Sequence, residues 1–235
     1  MKFKVQIWFC PLNFQAIEIV VSEMNKDREK ILQAIHKALQ TPSVKPVRPD
    51  FNTSIYNPDE KNEDWAILFA QNLKKVQGEF CYCTDEKDFI ANLLGLIKHK
   101  KANEIFVWEK ELQNFLEITD VPFQKNTQNL KNAEIGITSC EYLIARTGSV
   151  LVSSKQNLGR SLSIYPPIHI VVAFASQIVY DVETALAKMR EKYKVFPSML
   201  SFITGPSRTA DIEKTLVLGA HGPKELHVFL IDNNS

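Results

Sequence analysis

The chain has 235 residues, 45% apolar and 23% charged, which suits a soluble α/β domain with a full hydrophobic core. Lysine and arginine number 28 against 27 acids, a net charge of +1, so charge makes no case for nucleic acid or an anionic membrane. No apolar run approaches the roughly 20 residues of a membrane span. Cys10, Cys81, Cys83 and Cys140 show neither CxxC nor zinc spacing, so they are expected to be reduced thiols of a cytoplasmic protein that binds no metal.

Residues 1–23 read as a loose extension, because Pro11, Asn13 and Gln15 interrupt their apolar stretch. An extra strand over 16–21 is the alternative. From Met24 the chain opens an amphipathic helix over 28–39, with Ile31, Leu32, Ile35 and Leu39 facing inward. Pro42, Pro46, Pro49 and Pro58 then make 41–59 an extended arm. The expected parts are an extension (1–23), a helix with its arm (24–59) and the main domain (60–235).

From residue 63 helices and strands alternate. A helix with Trp65, Leu68, Phe69, Leu73 and Val76 inward stops at Gly78, and 80–83 is a short strand. A helix from about Asp85 carries Ile90, Leu93, Leu94 and Ile97, a strand covers 105–108, and Leu112, Phe115 and Leu116 mark a short helix. After the strand 133–137, Thr138 and Glu141 have capping-box spacing and predict a short helix over 142–144. A thiolate at Cys140 would be favoured near such a helix start. Strands follow at 149–152 and 168–175, separated by a polar loop containing Gly159 and Arg160. Asp181 caps a helix over 182–193. Mostly unbroken apolar strands between helices predict a three-layer α/β/α fold on a mainly parallel sheet.

The last quarter holds the densest chemistry. An apolar strand to Ile203 breaks at Thr204-Gly205-Pro206-Ser207-Arg208-Thr209, and a helix with Asp211 and Glu213 in its first turn is expected next. Such a turn offers an anion N–H groups, hydroxyls and one guanidinium. The alternative is a plain helix cap beside a surface arginine. His221 stands between two glycines, and Leu226, Val228 and Leu230 alternate along a closing strand.

Ligands of open parallel sheets collect beyond the carboxyl ends of the strands. Residues 138–141, 204–209 and the Pro166 neighbourhood are the loops placed there. Glu141 is either a capping acid or a base or nucleophile. Arg160 and Arg208 can bind a carboxylate or phosphate bidentately, or be surface charges. His169 reads as a core histidine, and His227 as structural.

Residues 136–154 (GITSCEYLIARTGSVLVSS), 159–172 (GRSLSIYPPIHIVV) and 203–223 (ITGPSRTADIEKTLVLGAHGP) resemble the LUD-domain family, in its lactate-utilisation branch. The resemblance implies a fold similar to the ribose-phosphate isomerase, glucosamine-phosphate deaminase and CoA-transferase group. It also implies a part in oxidising L-lactate to pyruvate beside iron–sulfur partner proteins, with no cluster in this chain. The positions matching the motifs are Glu141, Thr147, Gly148, Arg160, Gly205, Ser207, Arg208, Thr209, Asp211, His221 and Gly222. Glu141 and His221 are the catalytic candidates among them, and the rest are candidates for a small anionic ligand. Arg146 departs from the family pattern, which has an acid before the Thr-Gly.

Two other functions fit the same residues. One is a stand-alone isomerase- or transferase-like enzyme with Glu141 as base or nucleophile. The other is an assembly module without catalysis.

Overall fold

The structure, a computed structural model, describes residues 14–40, 64–126, 128–156, 159–210, 216–219 and 222–232. The chain divides into two units, residues 1–57 and 58–235. The described residues of the first form the helix α1 (Phe14–Gln40), which overturns the strand reading of 16–21. Ile31, Leu32, Ile35 and Leu39 are exposed on it rather than buried. The proline-rich arm lies outside the described residues.

The second unit is built on five parallel strands. In chain order its first elements are α2 (Trp65–Lys75), β1 (Glu79–Cys83), α3 (Glu86–Lys100), β2 (Ile105–Val107), α4 (Lys110–Glu117) and β3 (Ile135–Thr138). Then follow β4 (Tyr142–Ile144), β5 (Ser149–Ser153), α5 (Gly159–Leu162), β6 (Ile168–Phe174), β7 (Ile178–Val179) and α6 (Val182–Lys192). The last are β8 (Leu200–Ile203), β9 (Arg208–Ala210), β10 (Leu216–Leu218) and β11 (Glu225–Ile231).

The parallel sheet has the order β1-β11-β6-β3-β2. Its central strands are apolar on both faces, as burial on both sides requires. Along β11, Phe229 and Ile231 join α3 and α4 in one core, with Phe89 and Phe229 edge to face at 5.6 Å. Leu226, Val228 and Leu230 join Phe69 and Leu73 of α2 in the other core. Asp64, Asp85 and Asp181 cap α2, α3 and α6 through bonds to Ala66, Asp88 and Thr184 N–H groups. Each cap is worth about 1 kcal/mol.

The fold class is the expected α/β architecture on a mainly parallel sheet. One flanking layer holds more than helices, however. A second sheet, ordered β7-β4-β5-β8, packs Leu143, Val150 and Val152 against the parallel sheet. Its other face buries Ile144 and Leu151 against Ala185 and Met189 of α6. Three expectations fall with it. Residues 142–144 form β4 and not a helix, because Leu143 and Ile144 bury on opposite faces with a period of two. β8 pairs antiparallel with β5 and is no member of the parallel sheet. In place of the helix expected after the 204–209 turn, β9 and β10 pair antiparallel, so Leu216 is in a strand; Asp211 and Glu213 lie outside the described residues.

Candidate functional site

The carboxyl ends of β2, β3 and β6 share one edge of the parallel sheet. Beyond β2 comes Glu109, beyond β3 come Ser139, Cys140 and Glu141, and beyond β6 comes Gln177. A cleft of about 610 Å³ opens there, with Ser139, Glu141, Gln156, Gln177 and Lys192 on its walls and Phe174 beside them. The Pro166 neighbourhood precedes β6, so it sits at the opposite edge from the one expected.

Glu141 is 1% exposed, and a charge so placed demands compensation. Three donors supply it. Ser153 Oγ (2.5 Å) and Tyr193 OH (2.9 Å) donate to Oε1, and Lys192 Nζ donates to Oε2 at 2.8 Å. Burial pulls the Lys192 pKa down, but the bond to Glu141 and the charges of Glu141, Tyr193 and Tyr142 together outweigh this and the net shift is upward. Burial and the bond to Glu141 also raise the Tyr193 phenol. The cap expected of Glu141 has no helix to serve.

A second carboxylate stands nearby. Glu109 accepts the Ser139 N–H on Oε1 at 2.7 Å and the Ser139 hydroxyl on Oε2. Burial raises its pKa, and the Ser139 bonds only partly oppose that. Gln156 connects the two carboxylate clusters. Its amide donates to Ser139 Oγ (2.8 Å), and its carbonyl accepts the Ser153 N–H (3.0 Å). Gln177 pins the loop after β3 by donating to the Cys140 carbonyl at 2.6 Å. Cys140 itself is buried in the core, and burial drives its pKa upward, so a thiolate there is disfavoured.

The Gly-Pro-Ser-Arg turn lies elsewhere. Thr204 Oγ1 bonds Ser149 Oγ at 2.8 Å, at the start of β5, whereas Glu141 bonds Ser153 at its end. The length of β5, about 14 Å at 3.4 Å per residue, separates the two places. Gly205 has φ +81°, and a Cβ there would stand 2.2 Å from the Val76 carbonyl oxygen. Arg208 donates to that same carbonyl, at the C-cap of α2, where the helix dipole favours a cation. Ser207 N–H donates to Pro223 O, and a Cβ on Gly222 would meet Ser207 Cβ at 2.8 Å. The described contacts of this turn are therefore those of a tether between α2, β5 and the segment before β11.

Gly148 (φ +61°) packs its Cα against the α2 backbone, and the buried Thr147 Oγ1 has no hydrogen-bond partner among the described residues. The side chains of Arg160, in α5, and Thr209, in β9, lie outside the described residues, as do Asp211 and His221 entirely. His169 is a core histidine as expected, bonded through Nε2 to Thr138 Oγ1 at 2.8 Å. Among the described residues nominated as catalytic or ligand-binding, Glu141 lies on the cleft, with Cys140 beside it. Glu109, Gln156 and Lys192 are not among those candidates, and Ser139 is named only as part of the 138–141 loop. The available signal was an acid two or three residues beyond an apolar strand, shared by Glu109 and Glu141.

Residues 67–231 match the family model of the LUD domain. A lactate utilization protein C of Bacillus licheniformis is 34% identical over 170 residues, covering 71% of this chain and 68% of that protein. One from a Geobacillus species is 36% identical over 182 residues, covering 72% and 71%. Other relatives of that name are matched over smaller shares, such as 48% and 54% of their own length. A crystal structure of a DUF162 family protein from Deinococcus radiodurans superposes with a TM-score of 0.53 at 20% identity, covering 71% of this chain and 96% of that one. Fold, motifs and these matches together place the chain in a family: it belongs to the LUD-domain proteins.

Proposed function

We propose that this chain is a component of L-lactate utilisation, the oxidation of lactate to pyruvate, that binds a small monocarboxylate in the Glu141 cleft. The name shared by its relatives supports the pathway. The observation carrying the site is Glu141, buried at the carboxyl edge of the sheet with Lys192, whose side chain is 48% exposed, reaching it from the cleft wall. The outward N–H groups of Lys192 and the Gln156 amide are donors for one carboxylate. Electron transfer belongs to iron–sulfur partner proteins in this reading, because the cysteines lack cluster spacing.

Charge separates this reading from the stand-alone enzyme. Lys192 faces Glu86, Glu111 and Glu141 around the cleft, a surplus of negative charge. Such a field tolerates one carboxylate better than a phosphosugar or coenzyme A, which bring several charges.

Thermal-shift titration tests the site, using L-lactate, pyruvate, ribose 5-phosphate and coenzyme A against the parent chain, Lys192→Met and Arg208→Ala. A ligand at 100 times its Kd adds about 2.7 kcal/mol. A lactate or pyruvate shift lost in Lys192→Met and kept in Arg208→Ala is expected. Loss in Arg208→Ala instead moves the anion to the 204–209 turn. Shifts with the phosphorylated ligands alone favour the stand-alone enzyme. No shift at all refutes anion binding and leaves assembly with iron–sulfur partners, read by co-purification.

A further inference from the structure

Ser139 is a hydroxyl on the cleft wall that the reading above does not use. It follows β3 directly, and both of its donors go to one carboxylate: N–H to Glu109 Oε1 and Oγ–H to Oε2. The other side of Oγ accepts from Gln156 Nε2 at 2.8 Å. A hydroxyl within hydrogen-bond reach of a base, the base oriented by a further bond, is the arrangement of an activated nucleophile.

We propose that Ser139 is a nucleophile with Glu109 as its base, accepting the acyl group of a short-chain ester or thioester. In the step, Oγ bonds the carbonyl carbon while its proton passes to the Glu109 carboxylate. The C–O or C–S bond of the substrate then breaks, and the leaving alkoxide or thiolate takes that proton from Glu109. The product is an acyl-serine and a free alcohol or thiol, with no oxidant involved. The Gln156 amide, 2.8 Å from Ser139 Oγ, is the donor nearest the attacking atom, and Leu112, Phe115 and Val172 line the cleft as an apolar wall for the acyl chain. An ordinary carboxylate is a weak base toward a hydroxyl; burial moves Glu109 toward the working pH. The proposal stands on the Ser139–Glu109 geometry alone and is independent of which carboxylate the cleft binds.

A fluorophosphonate probe tests it without a known substrate, since an activated serine displaces fluoride and forms a P–O bond. Labelling is located by peptide mass mapping in the parent chain, Ser139→Ala, Glu109→Gln and Glu109→Asp, each checked for folding by circular dichroism. Ser139 is expected to label, Ser139→Ala to lose that adduct, and Glu109→Gln to react on the order of 100-fold more slowly. Glu109→Asp should recover part of the rate, and the parent rate should climb with pH as Glu109 loses its proton. An unlabelled Ser139 in folded protein, beside a serine hydrolase that labels, overturns the proposal. So does a Glu109→Gln rate equal to the parent's, or, if that variant does not fold, a parent rate that is flat with pH.

Discussion

His169 makes the pH dependence of stability measurable at one residue. It is 0% exposed, one of its ring nitrogens bonds Thr138, and Nδ1 has no partner among the described residues. Burial depresses its pKa from an ordinary 6.5 to about 3. Below pH 6.5 the unfolded chain therefore binds a proton that the folded chain refuses, and stability falls as pH falls. Relative to pH 7.5, this one group costs about 1.4 kcal/mol at pH 5.5 and about 2 kcal/mol at pH 5. In His169→Gln, whose amide can still meet Thr138, that component disappears. Urea denaturation at pH 7.5, 6.5 and 5.5 measures both proteins. The parent should lose about 1.4 kcal/mol more than the variant across that range, above the window where ordinary carboxylates titrate. Equal pH slopes would refute the buried neutral imidazole.

Two glycines make a paired test of close approach. A Cβ on Gly148 would stand 2.3 Å from Leu73 N, and Asn72 beside it donates to the Ala145 and Arg146 carbonyls. Gly148→Ala should cost about 2 to 4 kcal/mol in urea denaturation, from the left-handed backbone and the lost bonds, whereas Gly95→Ala, with open space in mid-α3, should gain about 0.5 to 1 kcal/mol. Arg208→Ala should cost about 1 kcal/mol, the value of an exposed hydrogen bond, and hydrogen exchange at 73–78 should quicken; unchanged protection there would count against the tether to Val76.

The parallel sheet was legible because its evidence is local. Runs such as IHIVVAF of β6 carry no polar face, and α2, α3, α4 and α6 each have an aspartate cap or an apolar stripe. The second sheet was not legible. Tyr142–Ile144 is three residues long, too short to show its period, and Thr138 with Glu141 imitates a helix start. The 204–209 turn was recognised as special, and the positive φ of Gly205 explains its glycine. Its sequence could not reveal that the guanidinium reaches back 132 residues to Val76. Glu109, Ser139 and Gln156 come from loops far apart in the chain. No spacing rule joins them; only the sheet order does.

That order also explains why the two carboxylates differ. Glu109 rests on one residue of a neighbouring loop, and its donors are the amide and hydroxyl of Ser139. Glu141 draws on β5 for Ser153 and on the end of α6 for Lys192 and Tyr193, so its donors arrive when β4 and β5 pair and α6 packs on them. Docking of the second sheet on the first buries Leu143, Val150 and Val152 in the core with Val171 and Leu230. The donors of Glu141 are tied to the packing of α6 on β4 and β5, while those of Glu109 come from a single residue beyond β3. One carboxylate is ion-paired; the other is desolvated among neutral donors. Burial raises the pKa of Glu109, the acid whose donors are all neutral. Gln156, bonded to both clusters, fixes the two in register across the cleft.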